Sequence, residues 1–258
     1  MLNMKIKICG LRRAEDIAYA NEVQPDYVGF ILTEGFRRSI TKETARELRS
    51  LLKPEIKTVG VFVNEPVEHI VEFLEEGIID IAQLHGQESE EDIVYLKAMT
   101  GKPVIKVIKF VQQNAAETMN QETDGNKIKK TAENLNPKMD GKINLKTEED
   151  INPNIAKTLN RYAVEAWLDS AADYLLFDSG TGTGQTFDWS VLQEVLADYG
   201  GTLPKEFFLA GGISAKNIDE AWQMVHPYAV DLRSSVETDG VKDLGKMKRA
   251  VSTVRKYP

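Results

Sequence analysis

Short runs of aliphatic and β-branched residues alternate along the chain with longer stretches whose apolar positions recur at helical spacing. This alternation is typical of βαβ units that build a parallel sheet. The short runs predict eight strands, at residues 5–9, 27–31, 58–62, 79–83, 104–108, 174–177, 207–210 and 229–232. The longer stretches predict eight helices, at residues 14–21, 42–52, 67–75, 90–99, 155–170, 189–199, 215–225 and 242–255.

Eight strands, each followed by a helix, favour a (β/α)8 barrel, the TIM barrel, that spans residues 1–258 as a single domain. The length agrees, because barrels of this class commonly contain about 250 residues. A doubly wound open sheet is the alternative, because periodicity alone does not show that the first and last strands pair.

One segment interrupts the alternation, from about residue 112 to residue 154, where Asn, Gln, Lys, Glu and Thr dominate and apolar residues are few. A segment this polar buries too little apolar surface to offset its ordering entropy. We interpret it as an insertion in the loop after strand five. It is either an elaborated surface loop or, at the catalytic end of a barrel, a lid.

The net charge of −8 and the pI near 5.1 differ from the basic character that a non-specific nucleic-acid-binding protein needs. An anionic substrate remains compatible, because backbone N–H groups and helix N-termini bind phosphate without net positive charge. The chain has no signal-peptide pattern and no run of about 20 apolar residues to cross a bilayer. We therefore expect a cytoplasmic protein that binds neither nucleic acid nor membrane.

In a parallel barrel, active-site groups lie at the carboxyl ends of the strands. Six of the eight predicted strands end in polar, titratable or glycine-rich sequence, which is more than packing requires. These ends are Cys9-Gly10, residues 35–38, Gln83-Leu84-His85-Gly86, Asp178 with the glycines that follow it, Gly211-Gly212, and Asp231.

Two of these ends carry groups able to move a proton. Cys9 is either a small buried hydrophobe or, as a thiolate beside a cation or a helix N-terminus, a general base. Asp178 follows an apolar strand and is either a turn residue or a general acid kept protonated by burial. Three histidines without zinc-site spacing and a single cysteine predict that the chain has no metal site.

The last two strands predict a phosphate site. Barrel enzymes often bind phosphate after strands seven and eight, and the amides of Gly211-Gly212 are free to face a ligand. Residues 233–237 are long enough for a short extra helix that shares the phosphate. The glycines at 180, 182 and 184 lack the order of a P-loop, so a flexible link explains them equally well.

Together these segments resemble the phosphoribosylanthranilate isomerase family of tryptophan biosynthesis. Beyond the ends already named, the motifs are Lys7-Ile8-Cys9-Gly10, Val59-Gly60-Val61-Phe62-Val63-Asn64, Thr186-Phe187-Asp188-Trp189 and Gly240-Val241-Lys242-Asp243. The resemblance runs from the first strand to the last helix, and we expect only residues 112–154 to fall outside it.

The resemblance implies an Amadori rearrangement of N-(5-phosphoribosyl)anthranilate without cofactor or metal, by a protein that is a monomer or a homodimer. Asp178 matches the family's general acid, and Cys9 matches its general base. Arg38 matches an arginine that faces the anthranilate carboxylate. The matching substrate-binding positions are Arg38, His85, Gly211, Gly212, Asp231, Ser234 and Ser235.

Two departures and two alternatives remain. The sequence Phe36-Arg37-Arg38-Ser39 departs from the family pattern, so either Arg37 or Arg38 is the ligand of the carboxylate. Alternatively, both arginines are exposed to solvent and bind no ligand. Arg233 and Ser235 replace a small residue and a glycine, so Arg233 either adds charge to the phosphate site or crowds it. A related aminoaldose isomerase of histidine biosynthesis would carry aspartate in place of Cys9. A non-catalytic barrel that binds a phosphorylated ligand is the other alternative.

Overall fold

The computed structural model describes residues 3–110, 155–179 and 189–257. Eight strands form a closed parallel barrel in chain order. They are β1 Lys5–Cys9, β2 Tyr27–Ile31, β3 Lys57–Phe62, β4 Ile81–Leu84, β5 Val104–Lys109, β6 Tyr174–Asp178, β7 Phe207–Leu209 and β8 Ala229–Leu232. The predicted TIM barrel is therefore confirmed, and the open-sheet alternative is wrong because β1 pairs with β8 from Lys5↔Ala229 to Ile8↔Leu232.

Eight helices follow the strands in the described residues. They are α1 Ala14–Val23, α2 Lys42–Leu51, α3 Val67–Glu75, α4 Glu90–Thr100, α5 Ile155–Leu168, α6 Ser190–Asp198, α7 Ile218–Val225 and α8 Leu244–Val254. None of the helices in this part of the chain is long and apolar enough to cross a membrane. The polar segment 112–154, the glycines at 180, 182 and 184, and residues 186–188 lie outside the described residues.

The side-chain alternation of β1 explains how one strand serves both the core and the site. Successive side chains of a barrel strand point to opposite faces, so one set packs under the helices and the other lines the interior. Ile6 and Ile8 belong to the large apolar cluster that includes residues of the helices. Lys7 and Cys9 take the alternate positions, which places two polar groups of neighbouring layers on the interior side.

Local hydrogen bonds explain where some helices begin. Thr41 caps α2, because its hydroxyl accepts from the Thr44 N–H at 3.3 Å. Helix α7 begins at Ile218, three residues later than the sequence predicts. The Asn217 amide accepts from the Ser214 N–H at 2.8 Å and donates to the Gly212 carbonyl at 3.1 Å, which holds residues 214–217 in a turn.

The last helix also begins later than predicted. Residues after β8 form a 3₁₀ helix, Ser234–Val236, and then a two-stranded hairpin of Glu237–Thr238 and Val241–Lys242. Lys242, expected to start α8, is instead a strand residue whose ammonium pairs with Glu237 at 2.9 Å. The short extra helix expected after strand eight is confirmed.

Candidate active site

A cavity of about 370 Å³ opens at the carboxyl ends of the strands. This volume lies within the usual range for small-molecule sites, about 300–1,000 Å³. Eight of the nine predicted site residues line it, Arg38 being the exception. The lining residues are Cys9, Ile31, Val61, Gln83, His85, Leu176, Asp178, Ser179, Ala210, Gly211, Gly212, Ile213, Ser214, Asp231, Arg233, Ser234 and Ser235.

Cys9 and Asp178 lie on the same cavity, at the ends of β1 and β6. The sulfur of Cys9 fits because residue 29 on the neighbouring strand is glycine. A Cβ built there would lie 2.7 Å from Sγ, closer than such atoms approach one another. Cys9 packs with Ile31 and Val61, so its thiol has an apolar wall on one side and the cavity on the other.

A lysine that the sequence analysis did not select lies directly below Cys9. Lys7 is fully buried and donates to Asp231 Oδ2 at 2.7 Å and to Gln83 Oε1 at 2.9 Å. Its ammonium also interacts electrostatically with Cys9, two residues along the same strand. Burial lowers the pKa of Lys7, but the charges of Asp231 and Cys9 outweigh burial and hold this pKa above its ordinary value. Lys7 is therefore a cation beneath the cavity floor.

His85 connects this floor to Asp178. Its Nδ1 lies 3.2 Å from Gln83 Nε2, and its Nε2 lies 3.4 Å from Asp178 Oδ2. Both His85 and Asp178 keep part of their side chains exposed to the cavity. The imidazole is thus held between an amide and the candidate acid.

The opposite end of the cavity is built from backbone. Gly211 and Gly212 both have positive φ, 74° and 71°, a region that residues with a Cβ rarely adopt. A Cβ on Gly211 would lie 2.5 Å from the Ser179 nitrogen, so the two loops approach closely only because this residue is glycine. Ser234 and Ser235, which begin the 3₁₀ helix, face the same end. Such a cluster of loop and helix-start amides is suited to an anion.

Two buried oxygen atoms of the cavity lining lack a hydrogen-bond partner among the described residues, Asp231 Oδ1 and Ser235 Oγ. A buried polar atom without a partner costs roughly 1–3 kcal/mol. A ligand that supplies a hydroxyl to Asp231 and an acceptor to Ser235 removes this cost, so both atoms favour a polar, hydroxylated anion in the cavity.

The sequence agrees with a known family over most of its length. The family model described as N-(5'phosphoribosyl)anthranilate (PRA) isomerase matches residues 6–130 and 138–253. The chain belongs to the phosphoribosylanthranilate isomerase family. The match includes all but residues 131–137 of the polar segment, so the expectation that residues 112–154 fall outside the resemblance is wrong.

The sequences and structures of relatives in this family align with nearly the whole chain. The chain is 38% identical over 252 residues to the N-(5'-phosphoribosyl)anthranilate isomerase of Thermoanaerobacter sp. (strain X514), which covers 98% of each sequence. It is 36% identical over 256 residues to that of Endomicrobium trichonymphae, covering 97% of this chain and 98% of the relative. The crystal structure of phosphoribosyl anthranilate isomerase from Thermus thermophilus is 27% identical, with a TM-score of 0.69 and coverage of 98% of this chain and 99% of that one. These findings do not support the histidine-pathway isomerase or the non-catalytic barrel.

Arg38, which the family resemblance assigns to the substrate carboxylate, is engaged by an acid of this chain. Its Nε and Nη2 donate to the two carboxylate oxygens of Glu237 at 3.0 and 2.6 Å. Lys242 donates to the same carboxylate at 2.9 Å. Burial raises the pKa of Glu237, but hydrogen bonds from Arg38 and Lys242 outweigh it and hold this pKa below its ordinary value. Glu237 is therefore an ionised carboxylate shared by two basic side chains.

Lys7, Glu237 and Lys242 are functional neighbours that the sequence did not indicate, and Gln83 belonged to a predicted strand end but had no role assigned. Lys7 had a usable signal, because it lies two residues before Cys9 and side chains two apart on a strand share a face. Glu237 and Lys242 belong to motifs that carried the family resemblance, but nothing in the sequence indicates that Glu237 contacts Arg38, which lies 199 positions away.

Proposed function

We propose that this chain converts N-(5'-phosphoribosyl)anthranilate into 1-(2-carboxyphenylamino)-1-deoxyribulose 5-phosphate by acid–base catalysis, without cofactor or metal. The observation that carries the proposal is the presence of Cys9 and Asp178 on one cavity, next to an anion-binding end made of backbone. An isomerase of a phosphorylated aminosugar needs an acid, a base and a phosphate-binding group that all reach one bound substrate. The lining of this cavity includes all three.

In the proposed reaction, Asp178 protonates the furanose ring oxygen, the bond between that oxygen and C1 breaks, and a Schiff base forms between C1 and the anthranilate nitrogen. Cys9, as thiolate, then removes the proton from C2. The electron pair of that C–H bond forms an enolamine, which takes a proton at C1 as the C2 hydroxyl becomes a ketone. No group outside the substrate is oxidised or reduced, because C1 is reduced as C2 is oxidised.

The geometry of each residue supports the substrate-binding role that we propose for it. We assign the phosphate to the amides of Gly211, Gly212, Ser234 and Ser235, with the buried Ser235 hydroxyl as a further donor. We assign a sugar hydroxyl to Asp231 Oδ1, because its other oxygen is already held by Lys7.

The anthranilate carboxylate is assigned to Arg38. Among the described residues, Arg38 donates to Glu237 from Nε and Nη2 alone, so Nη1 and one hydrogen of Nη2 have no partner there and can bind a second carboxylate. Because Glu237 binds one edge of the guanidinium, the group is held in a single orientation. A guanidinium held in this way can bind a carboxylate through two parallel hydrogen bonds. His85 has the role of contacting Asp178 and the sugar near it.

The activity is tested directly with freshly prepared phosphoribosylanthranilate. The substrate is fluorescent through its anthranilate, and we expect the purified protein to accelerate the loss of this fluorescence. Boiled protein and buffer provide the rate of spontaneous hydrolysis. Product identity is checked by mass spectrometry, because hydrolysis releases anthranilate whereas isomerisation conserves the mass. A decay no faster than that of the buffer control excludes the proposed reaction.

Arg233 is proposed as an additional ligand of the substrate phosphate. It lines the cavity beside Ser234, and its guanidinium has no ion pair within the part of the chain that is described. We expect Arg233→Ser to raise KM about 10- to 100-fold, the loss of a charge-assisted hydrogen bond of about 1.5–3 kcal/mol. Inhibition by inorganic phosphate should weaken in parallel. Arg249→Ser, which removes an exposed arginine of α8, is the matched control. A KM that falls in Arg233→Ser means instead that the side chain crowds the site.

Location and assembly are proposed more broadly. We propose that the enzyme works in the cytoplasm, in keeping with a substrate that is a small phosphorylated metabolite. We propose that it is a monomer or a homodimer. A structure of monomers generated from the dimeric phosphoribosylanthranilate isomerase of Thermotoga maritima is 25% identical to this chain, with a TM-score of 0.65 and coverage of 98% of this chain and 99% of that one. Light scattering of the purified chain distinguishes the two states.

A further inference from the structure

A chain of polar contacts crosses the floor of the cavity towards the acid. Lys7 donates to Gln83, Gln83 contacts His85 Nδ1, and His85 Nε2 lies 3.4 Å from Asp178 Oδ2. At the other end, Cys9 interacts electrostatically with the Lys7 ammonium. Lys7 and Gln83 contribute from inside the barrel, where their side chains are 0% and 1% exposed. Neither has a role in the reaction as proposed above, although each contacts a residue that does.

Each contact in this chain determines which atom donates and which accepts in the next contact. A lysine ammonium only donates, so the Gln83 atom that faces it is the carbonyl oxygen Oε1. The amide nitrogen of Gln83 therefore faces His85, and an amide nitrogen also only donates. His85 Nδ1 must then be the acceptor. The ring proton lies on Nε2, the nitrogen that faces Asp178.

The position of this proton matters for a carboxylic acid. An Nε2–H lies 3.4 Å from Asp178 Oδ2 and turns its positive end towards that oxygen, so the acidic proton of Asp178 belongs on the other oxygen. After the proton has left, the same N–H stabilises the new carboxylate. The opposite tautomer presents a bare nitrogen to Asp178, and this nitrogen accepts the acidic proton and directs it away from the sugar.

We propose that Lys7 and Gln83 are positioning residues that hold His85 as its Nε2–H tautomer, so that Asp178 directs its proton towards the substrate. The inference rests on the proposed function for its catalytic meaning but on hydrogen-bond geometry alone for the tautomer. Lys7 donates to Gln83 on one side and to Asp231 on the other, so one buried cation orients residues at two edges of the cavity.

The test replaces the Gln83 amide with a carboxylate of nearly the same shape, which accepts hydrogen bonds but does not donate them. In Gln83→Glu, above neutral pH, both oxygens accept, so His85 must donate from Nδ1. Nitrogen-15 NMR of the histidine rings reports which nitrogen carries the proton, and the chain has only three histidines, so His85→Gln assigns the signal. We expect the Nε2–H form in wild type, a protonated Nδ1 in Gln83→Glu, and a kcat lowered about 10- to 100-fold with KM within about twofold.

The matched control is Glu65→Gln, which makes the reverse exchange beside the exposed His69, 3.2 Å from its Nδ1. This variant should leave kcat unchanged. A wild-type His85 that carries its proton on Nδ1 overturns the proposal, as does Gln83→Glu with wild-type kcat and ring signals. The wild-type spectrum is recorded without turnover. It therefore shows the tautomer of His85 even if the protein fails to isomerise phosphoribosylanthranilate, and also if Gln83→Glu does not fold.

Discussion

Replacing Cys9 by serine or Asp178 by asparagine is expected to lower kcat by at least about 10²–10⁴-fold each, the usual contribution of a positioned acid or base. Serine keeps the size of the side chain but not the acidity that allows a thiolate to form. Asparagine keeps the shape of Asp178 but has no proton to give to the ring oxygen. Both side chains lie at strand ends and face the cavity, so the barrel should fold in either variant.

The kinetic measurement is accompanied by binding of the product, followed by calorimetry with the inactive variants. We expect its Kd to remain within about tenfold of wild type, because the phosphate and carboxylate contacts are untouched. Asp169→Asn makes the same substitution at an exposed carboxyl just after α5, away from the cavity. It is the control for Asp178→Asn and should keep wild-type kcat. Wild-type kcat in either active-site variant removes that residue from the mechanism.

The barrel was predictable because each of its strands leaves a strong signal in the sequence. Runs such as Tyr27–Ile31, which is buried at every position, contain no charged residue because both faces of the strand are covered, and the helices between the strands keep an amphipathic period. The strand ends then identified the site residues, since parallel topology brings all carboxyl ends to one rim. Boundaries were less accurate where a side chain such as Asn217 bonds to the backbone and delays a helix.

The interactions between site residues were not predictable, because they join positions far apart in the chain. Lys7 contacts Asp231 across 224 positions, and Arg38 contacts Glu237 across 199. A sequence shows which residue types are present but not which of them pair. Arg38 illustrates the consequence: the family resemblance indicates an arginine for the substrate, whereas the structure adds an acid that already binds one of its edges.

Stability should depend most on a buried ion pair that supports the loop of His85. Lys106 and Glu88 pair at 2.9 Å with side chains 0% and 2% exposed. Glu88 also accepts from the backbone N–H of Asn64 at 2.8 Å and of Gly86 at 2.9 Å, and Lys106 donates to the Gly86 carbonyl at 3.1 Å. The pair therefore fixes the loops after β3 and β4, including the residue next to His85.

We expect Glu88→Gln to lower the free energy of unfolding by about 3–5 kcal/mol near neutral pH, because it leaves the Lys106 ammonium buried without its counter-charge. Urea unfolding followed by circular dichroism measures the loss. Glu72→Gln breaks a surface pair with Lys42, in which Glu72 is 58% exposed, and should cost no more than about 1 kcal/mol. Equal losses in the two variants contradict the special role of the buried pair.

The loss in Glu88→Gln should also depend on pH in a defined direction. Burial lowers the pKa of Lys106, and Glu88 opposes this effect, so removing the carboxylate lowers that pKa further. Between the folded and the unfolded pKa, the unfolded chain binds a proton that the folded protein does not, so stability rises with pH. The deficit of Glu88→Gln relative to wild type should therefore shrink as pH rises above neutrality. Adding Lys106→Met to Glu88→Gln should recover part of the stability near neutral pH and abolish the pH dependence, because no buried cation remains to be neutralised.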